Sequence, residues 1–417
     1  MNHVIIGAGP AGVVAAETLR KLDPGGRITI VGDEPEPPYS RMALPYYLIG
    51  RIDEAGTYLR KSEDYFRALG IEVKVARAEK LSADVKRVTL DDGSTLEYDR
   101  LLIATGSHPV APPIPGVKLP GVHSCWTLED GRSIASLAKP GAKVVLMGAG
   151  FIGCIILEAL AKRGIELTVV EMADRMVPRM MSEAAGNMIK NWCKIKGVSV
   201  FTSTKVTSIE ESSDRDRPLL VRLDNGKELA SNLVISATGV RSNVDFVTGA
   251  GIDIDQGILV NQYLQTSNPD IYAAGDVAQG RDFSTGEYSV QAIQPTAVEH
   301  GRLAALNMAG HQVAHRGSVN MNVLDTMGLI SSSFGSWMGV EGGDSVELHE
   351  PDAFRYLNLQ FDGDILVGAH SIGLTQHVGV LRGLIQTRAH LKGWKDRLAH
   401  DPTRIMEAYL GSTQLVS

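Results

Sequence analysis

The chain has 417 residues, too many for one compact core, so it divides into two or three domains. Hydrophobic residues make up 44% and charged residues 21%, ordinary globular values that argue against disordered and fibrous architectures. The net charge of −7 argues against a nucleic-acid or polyphosphate surface as the main function.

Met1 leads straight into an apolar strand pattern, His3 to Ile6, with no cationic leader, so a cytoplasmic location is expected. The apolar stretch Val4 to Ala16 contains Gly and Pro and is too short to span a bilayer, so no membrane span is expected. Gly7-Ala8-Gly9-Pro10-Ala11-Gly12 is a turn, Val13 to Leu22 a helix, and Arg27 to Val31 the next strand, which closes a βαβ unit. The plan recurs with strand Lys143 to Met147, turn Gly148-Ala149-Gly150-Phe151-Ile152-Gly153, helix Cys154 to Arg163 and strand Glu166 to Val170. Between the two units, Pro109 to Pro120 reads as a stiff connector. After about residue 318 the pattern changes to short strands, Arg355 to Gln360 and Ile365 to His370, and a helix from Gly379 to about Leu398.

Each GxGxxG turn between a strand and a helix has a physical reading. The first Gly allows the tight turn, the second lets a pyrophosphate approach the backbone, and the third lets helix and sheet pack closely. Asp33 and Glu34 close the first unit and Glu171 the second, where a carboxylate can accept hydrogen bonds from ribose hydroxyls. A carboxylate at Glu171 repels a 2′-phosphate and so favours NAD over NADP, while nearby Arg175 keeps NADP open. Three further strand ends carry short motifs: Ala104-Thr105-Gly106, Ala237-Thr238-Gly239 and Gly275-Asp276.

In this order the five motifs resemble the two-dinucleotide-binding flavoproteins of the pyridine nucleotide–disulfide oxidoreductase superfamily. The resemblance implies an α/β fold of two Rossmann-like dinucleotide-binding domains plus a C-terminal α+β interface domain. The expected boundaries are 1–113 with 241–317 for FAD, 114–240 for NAD, and 318–417 for the interface domain, as a homodimer or monomer. It also implies an FAD set of Gly7, Gly9, Pro10, Ala11, Gly12, Asp33, Glu34, Arg41, Ala78, Thr105, Gly106, Gly275, Asp276, Pro295, Thr296 and Ala297. The NAD set is Gly148, Gly150, Phe151, Ile152, Gly153, Glu171 and Gly239. Asp276 would hold the ribityl chain, and a helix beginning near Gln294 would point its positive end at the flavin pyrimidine.

The segment Pro38-Tyr39-Ser40-Arg41 resembles the loop of rubredoxin, ferredoxin and nitrite-reductase-associated reductases. Its continuation Leu44-Pro45-Tyr46-Tyr47 is similar to coenzyme A–disulfide reductases and NADH oxidases, whose redox cysteine falls at Met42 here. A thioether forms neither thiolate nor disulfide, so sulfur relay chemistry is not expected there. Cys125, Cys154 and Cys193 lie far apart and form no CxxC pair, which argues against a disulfide framework, a zinc finger or a cysteine-ligated cluster. No metal is expected. Ile155 stands where many relatives carry a Glu, so that role is not transferred; His370, His377 and His390 are read as structural or surface histidines.

The expected function is transfer of electrons from NADH through FAD to an iron–sulfur carrier of ferredoxin or rubredoxin type, with no dedicated acid, base or nucleophile. Arg41, Arg60, Lys61 and Arg67 would offer such a carrier a basic patch. Two alternatives stay open: an NADH oxidase or small-acceptor reductase, and an NADH-sensing flavoprotein acting by conformation or dimerisation.

Overall fold

The computed structural model describes residues 1–413, which gather into two compact units. The first comprises Met1–Tyr47, Ile52–His108 and Val240–Ser318; the second comprises Leu48–Arg51, Pro109–Gly239 and Val319 onward.

In the first unit a five-stranded parallel sheet runs in the order Ile271–Ala273, Arg100–Ile103, Asn2–Ile6, Arg27–Gly32, Ile71–Val75. Its strands are runs of Val, Ile and Leu because a parallel sheet covered on both faces has no solvent side. Val4, Ile5, Leu101, Leu102, Ile103, Ile28 and Ile30 are all buried. The helix Pro10–Leu22 packs against the helix Gln294–Met308. Their backbones meet closely: a Cβ on Gly301 would lie 2.2 Å from the Ala11 carbonyl oxygen.

The second unit repeats the arrangement, with parallel strands ordered Ser199–Phe201, Glu166–Val170, Lys143–Met147, Leu233–Ser236, Val122–Ser124. In both sheets the first βαβ strand is central, and the chain reverses direction across the sheet on either side of it. The carboxyl ends there form a switch point, the place where open α/β sheets receive ligands. Each Gly-rich turn leaves from that point, and so does each Ala-Thr-Gly segment.

An antiparallel sheet follows, ordered Met321–Thr326, Leu329–Gly335, Ile365–Ile372, Arg355–Asp362, Asp344–Glu350. Residues of this sheet share an apolar cluster with the second nucleotide-binding fold. Leu324, Leu329, Tyr356 and Ile372 join Leu146, Leu157 and Val169 in one apolar cluster, and the Trp192 indole N–H donates to the Thr326 carbonyl at 3.0 Å. The single helix expected over 379–398 is two, Val378–Thr387 and Gly393–His400. They are parted by a loop whose Arg388 and Lys392 both have φ of 51°.

Candidate functional site

The first Gly-rich turn is built by steric necessity. Gly7 has φ of 122°, and a Cβ there would lie 2.1 Å from the Ala104 carbonyl oxygen; one on Gly12 would lie 2.0 Å from the Gly7 oxygen. Both positions therefore require glycine for packing alone. Gly9 differs. Its backbone is extended and a Cβ would meet nothing within 4 Å, so its missing side chain leaves open space at the start of the Pro10–Leu22 helix. No side chain caps that helix and no acid lies in its first turn, so its first N–H groups and positive dipole end are offered outward.

Three elements converge beside this opening. Gly275, at φ of 76°, brings Ala297 and Ala11 within 3.3 and 3.4 Å of where its Cβ would be. Asp276 follows it and is largely buried; burial pushes its carboxyl above the usual carboxylate range, against the pull of the Ser107 hydroxyl, which donates to it at 3.3 Å, and of the Arg41 charge. The Gln294–Met308 helix also starts uncapped, with Pro295, Thr296 and Ala297 in its first turn. Ser40 Oγ donates to Gln294 Oε1 at 2.6 Å, which ties the start of the Tyr39–Arg41 loop to this helix end.

Thr105 is held by a residue that sequence reasoning missed. Asn243 Nδ2 donates to the Thr105 carbonyl at 2.8 Å, Thr105 Oγ1 donates to the Asn243 carbonyl at 2.9 Å, and His108 Nδ1 lies 2.5 Å from Asn243 Oδ1. Nothing in the sequence distinguishes this Asn from other loop polar residues 138 positions away. Gly106, with φ of 67°, again faces open space.

Glu34 and Arg41 meet each other. Arg41 Nη2 donates to Glu34 Oε1 at 2.9 Å, Tyr39 Oη donates to Glu34 Oε2 at 2.5 Å, and Arg41 Nη1 reaches the Ser107 carbonyl at 3.3 Å. Asp33 is exposed, Ala78 begins the half-buried end of a strand, and Met42 is 46% exposed. The expected basic patch is weakened by acids that pair with three of its four cations. Arg60 grips Glu17 through Nε at 2.6 Å and Nη2 at 2.7 Å, Arg67 pairs with Asp64, and Lys61 Nζ donates to the Ala55 and Gly56 carbonyls. These cations are consumed by partners up to 43 residues away in sequence.

The second turn copies the first. Gly148 has φ of 95° with the Ala237 oxygen 2.5 Å from its would-be Cβ, Gly153 meets the Gly148 oxygen at 2.2 Å, and Gly150 faces open space. Phe151 and Ile152 are half-buried in the first turn of the helix Phe151–Ala161, and Gly239 is open at φ of 132°. Glu171, 8% exposed, accepts from the Ala149 N–H at 2.6 Å and the Ala173 N–H at 2.7 Å. Each oxygen keeps a second lone pair. Arg175 turns to the Asp174 carboxylate at 2.8 Å and the Met181 carbonyl at 3.0 Å. Ile155 is half-buried against the apolar cluster.

Burial pushes the Cys125 and Cys193 thiols up to about 12, and the wholly buried Cys154 goes well up too. The three are thus held as thiols at neutral pH. Among the described residues, no cluster of three His, Cys, Asp or Glu could hold a metal ion, and no helix is long and apolar enough to cross a membrane. A cavity of about 450 Å³ lined by Asp253, Asn261, Gln265 and Tyr288 shares no residue with either turn.

Residues 1–301 match the family described as pyridine nucleotide-disulphide oxidoreductase. The chain is 31% identical over 416 residues to the NADH-dependent phenylglyoxylate dehydrogenase subunit epsilon of Aromatoleum evansii, covering 99% of this chain and 98% of the relative. It is 27% identical over 391 residues to the 3-phenylpropionate/cinnamic acid dioxygenase ferredoxin–NAD(+) reductase component of Photorhabdus laumondii, covering 94% and 97%. The solved covalent putidaredoxin reductase–putidaredoxin complex contains a chain that superposes with a TM-score of 0.91 at 25% identity, covering 99% of both chains. Two Gly-rich turns at two switch points, and a family match that spans the first of them and the second, lead to one conclusion: the chain is an oxidoreductase of the pyridine nucleotide-disulphide oxidoreductase family.

Proposed function

We propose that the protein oxidises NADH through FAD and passes the electrons to an iron–sulfur protein, with no sulfur relay. One observation carries this reading: two sterically matched GxGxxG turns, each with an open second glycine and a carboxylate at the next strand end, in a chain whose three thiols are buried and protonated. The names of the relatives support the acceptor and the nucleotide, since one is NADH-dependent and another a ferredoxin–NAD(+) reductase component. Both are named as a subunit or a component of a larger enzyme, and the chain spans nearly all of each.

The residues of the first unit fit FAD. Gly9 and the Pro10–Leu22 helix end would take the pyrophosphate, where a Cβ would fill the cradle. Asp276, a largely buried carboxyl that takes a hydrogen bond from the Ser107 hydroxyl, would accept from ribityl hydroxyls, with Thr105 and Gly106 beside it. Pro295, Thr296 and Ala297 would set a positive helix end against the pyrimidine edge and favour negative charge there. Gly275, Gly7, Gly12, Pro10 and Ala11 would shape the walls, and Ala78 and Asp33 would lie at the adenosine end. Glu34 and Arg41 act as a pre-formed pair, so Arg41 serves the site by bracing the Ser107 carbonyl.

In the second unit Gly148, Gly150 and Gly153 with Phe151 and Ile152 would receive the pyrophosphate of NADH, Gly239 would leave room beside it, and Glu171 would accept from the ribose 2′-hydroxyl. Arg175 is spent on Asp174, which removes the cation that a 2′-phosphate needs and favours NADH. FAD, when bound, supplies a centre that takes two electrons together and releases them singly. The protein contributes placement, since hydride transfer needs the two rings stacked and no side chain as acid or base.

The test is anaerobic titration of the FAD-loaded chain. NADH should bleach the flavin absorbance at one equivalent, NADPH should do so far more slowly, and oxidised ferredoxin should restore the colour in turnover. A colourless protein that takes up no FAD, or a reduced flavin that no iron–sulfur protein reoxidises, would defeat the reading.

A further inference from the structure

Charge is unevenly shared in the second unit. Residues 319–376 carry Arg355 against eight acids, whereas residues 377–413 carry Arg382, Arg388, Lys392, Lys395, Arg397 and Arg404 against Asp396, Asp401 and Glu407. The basic stretch begins with the loop and helix pair that replaced the single expected helix and runs on through the helix Ile405–Thr413. Arg388 ends the helix Val378–Thr387 with φ of 51° and ψ of 39°, and Lys392 precedes the helix Gly393–His400 with φ of 51° and ψ of −132°. Glycine or asparagine would satisfy the first conformation at less cost, and glycine the second. Two long cations therefore occupy positions that the backbone alone would not choose.

The loop between them is pinned. Asp364 takes the Lys392 N–H at 2.9 Å and faces His390 Nδ1 at 2.8 Å, while its carbonyl takes the Leu391 N–H at 3.0 Å. Leu391 is buried, yet Arg388 and Lys392 are exposed. Just beyond, the Trp394 ring carries the Arg397 guanidinium at 4.4 Å and that of Arg404 at 5.7 Å. Lys395 is spent on Asp344, and Arg404 lies 3.5 Å from Glu407. Among the described residues Arg388, Lys392 and Arg397 have no ion pair, the reverse of Arg60 and Arg67 in the first unit. Arg388 and Lys392, cations on strained backbone with no ion pair among the described residues, point to work done outside the chain.

We propose that the Arg388–Lys392 loop, with Arg397, is a docking surface for an acidic face of the iron–sulfur partner. The proposal rests on the electron-transfer reading above and adds where that partner is held. Charge complementarity selects a protein over a membrane: anchoring in a lipid surface needs large apolar side chains beside the cations, and the exposed one on this stretch is Leu410.

The experiment uses the full FAD-loaded chain and a small acidic [2Fe–2S] ferredoxin as the probe. Binding is read by surface plasmon resonance, and turnover by NADH–ferredoxin and NADH–ferricyanide rates. For R388E/K392E, ferredoxin Kd and KM should both rise about tenfold at low ionic strength, with the gap closing in high salt and the ferricyanide rate unchanged. R388G/K392G should raise the melting temperature by relieving strain and still weaken ferredoxin binding, which a merely structural loop would not do. An unchanged ferredoxin Kd in R388E/K392E, or a loss confined to binding of phosphatidylglycerol vesicles, would overturn the docking surface. Failure of the underlying reading looks different: the wild type binds ferredoxin with the predicted salt dependence but does not reduce it.

Discussion

The two Gly-rich turns agree in backbone and differ in what closes them. Gly9 and Gly150 both start a helix from extended backbone, at φ of −78° and −73°, and the flanking glycines of each turn meet a carbonyl oxygen within 2.5 Å of a would-be Cβ. The carboxylates are handled in opposite ways. Glu34 is spent on side chains, Tyr39 and Arg41, whereas Glu171 is spent on the backbone N–H groups of Ala149 and Ala173. The first acid therefore belongs to a side-chain network of its loop, and the second braces the Gly-rich turn itself. Shared sterics thus define where a dinucleotide can lie, and the acid's partners define what else the site depends on.

The sharpest way to break the comparison is to remove the sterics. Gly7→Ala and Gly148→Ala each force a positive φ on a side chain and drive it into a carbonyl, so each should cost about 3 kcal/mol or more. Gly7→Ala should be the worse, since its clash is at 2.1 Å against 2.5 Å. Urea unfolding measures this, and losses below about 1 kcal/mol would show that the turns relax freely. The next largest effect separates folding from binding. Gly9→Val and Gly150→Val point into open space and should leave the unfolding midpoint almost unchanged. Gly9→Val should give a folded, colourless protein; Gly150→Val should stay yellow and bind NADH about 100-fold more weakly, as measured by flavin bleaching.

Acid exposes a second contrast between the units. In the first, His300 is buried with Nε2 3.1 Å from the Ser318 hydroxyl, and desolvation, helped by the neighbouring His315, pushes its pKa down to about 3. In the second, His370 is 2% exposed with neither ring nitrogen hydrogen-bonded, and burial takes it down to about 4. A neutral folded imidazole and an unfolded one that protonates near 6.5 mean that stability is intact above that pH. It is lost as pH falls through the window from 6.5 to about 3 for His300 and about 4 for His370. Each contributes a loss of about 2 kcal/mol by pH 5. His300→Gln should flatten the decline between pH 7 and pH 5 by that amount. His370→Leu should flatten it equally and also raise stability at pH 7, because it removes polar atoms that have no partner. A pH profile unchanged in both variants would mean that these rings protonate in the folded state.

What the sequence shows of this molecule follows from the range of each interaction. Parallel strands announce themselves as apolar runs, and the Gly7 and Gly148 turns as glycine spacing, because the backbone itself demands those residues. Asp276 and Glu171 were legible as strand-end carboxylates. The partners were not. Arg60 looks like an available cation until Glu17, 43 residues earlier, folds beneath it, and Asn243 reaches Thr105 across 138 residues. The helix break at Arg388 was hidden because Arg and Lys stand where glycine would have marked it. Leu324, Tyr356 and Ile372 join an apolar cluster with the helix Phe151–Ala161, a contact that period alone cannot assign to a neighbour.

The smallest predicted effect probes the two acids directly. Glu171→Gln keeps one carbonyl oxygen, so it can accept from Ala149 or Ala173 but not both, and it no longer repels a 2′-phosphate. The loss should be about 1–2 kcal/mol of stability and about tenfold in preference for NADH over NADPH, read as the ratio of kcat/KM values with ferricyanide. Glu34→Gln breaks a partly exposed pair with Arg41 and should cost about 0.5 kcal/mol, with nucleotide preference unmoved. Equal shifts in both variants would mean that the acids play one role in two places. A shift in NADH preference from Glu34→Gln alone would move the selectivity determinant out of the second turn and into the first.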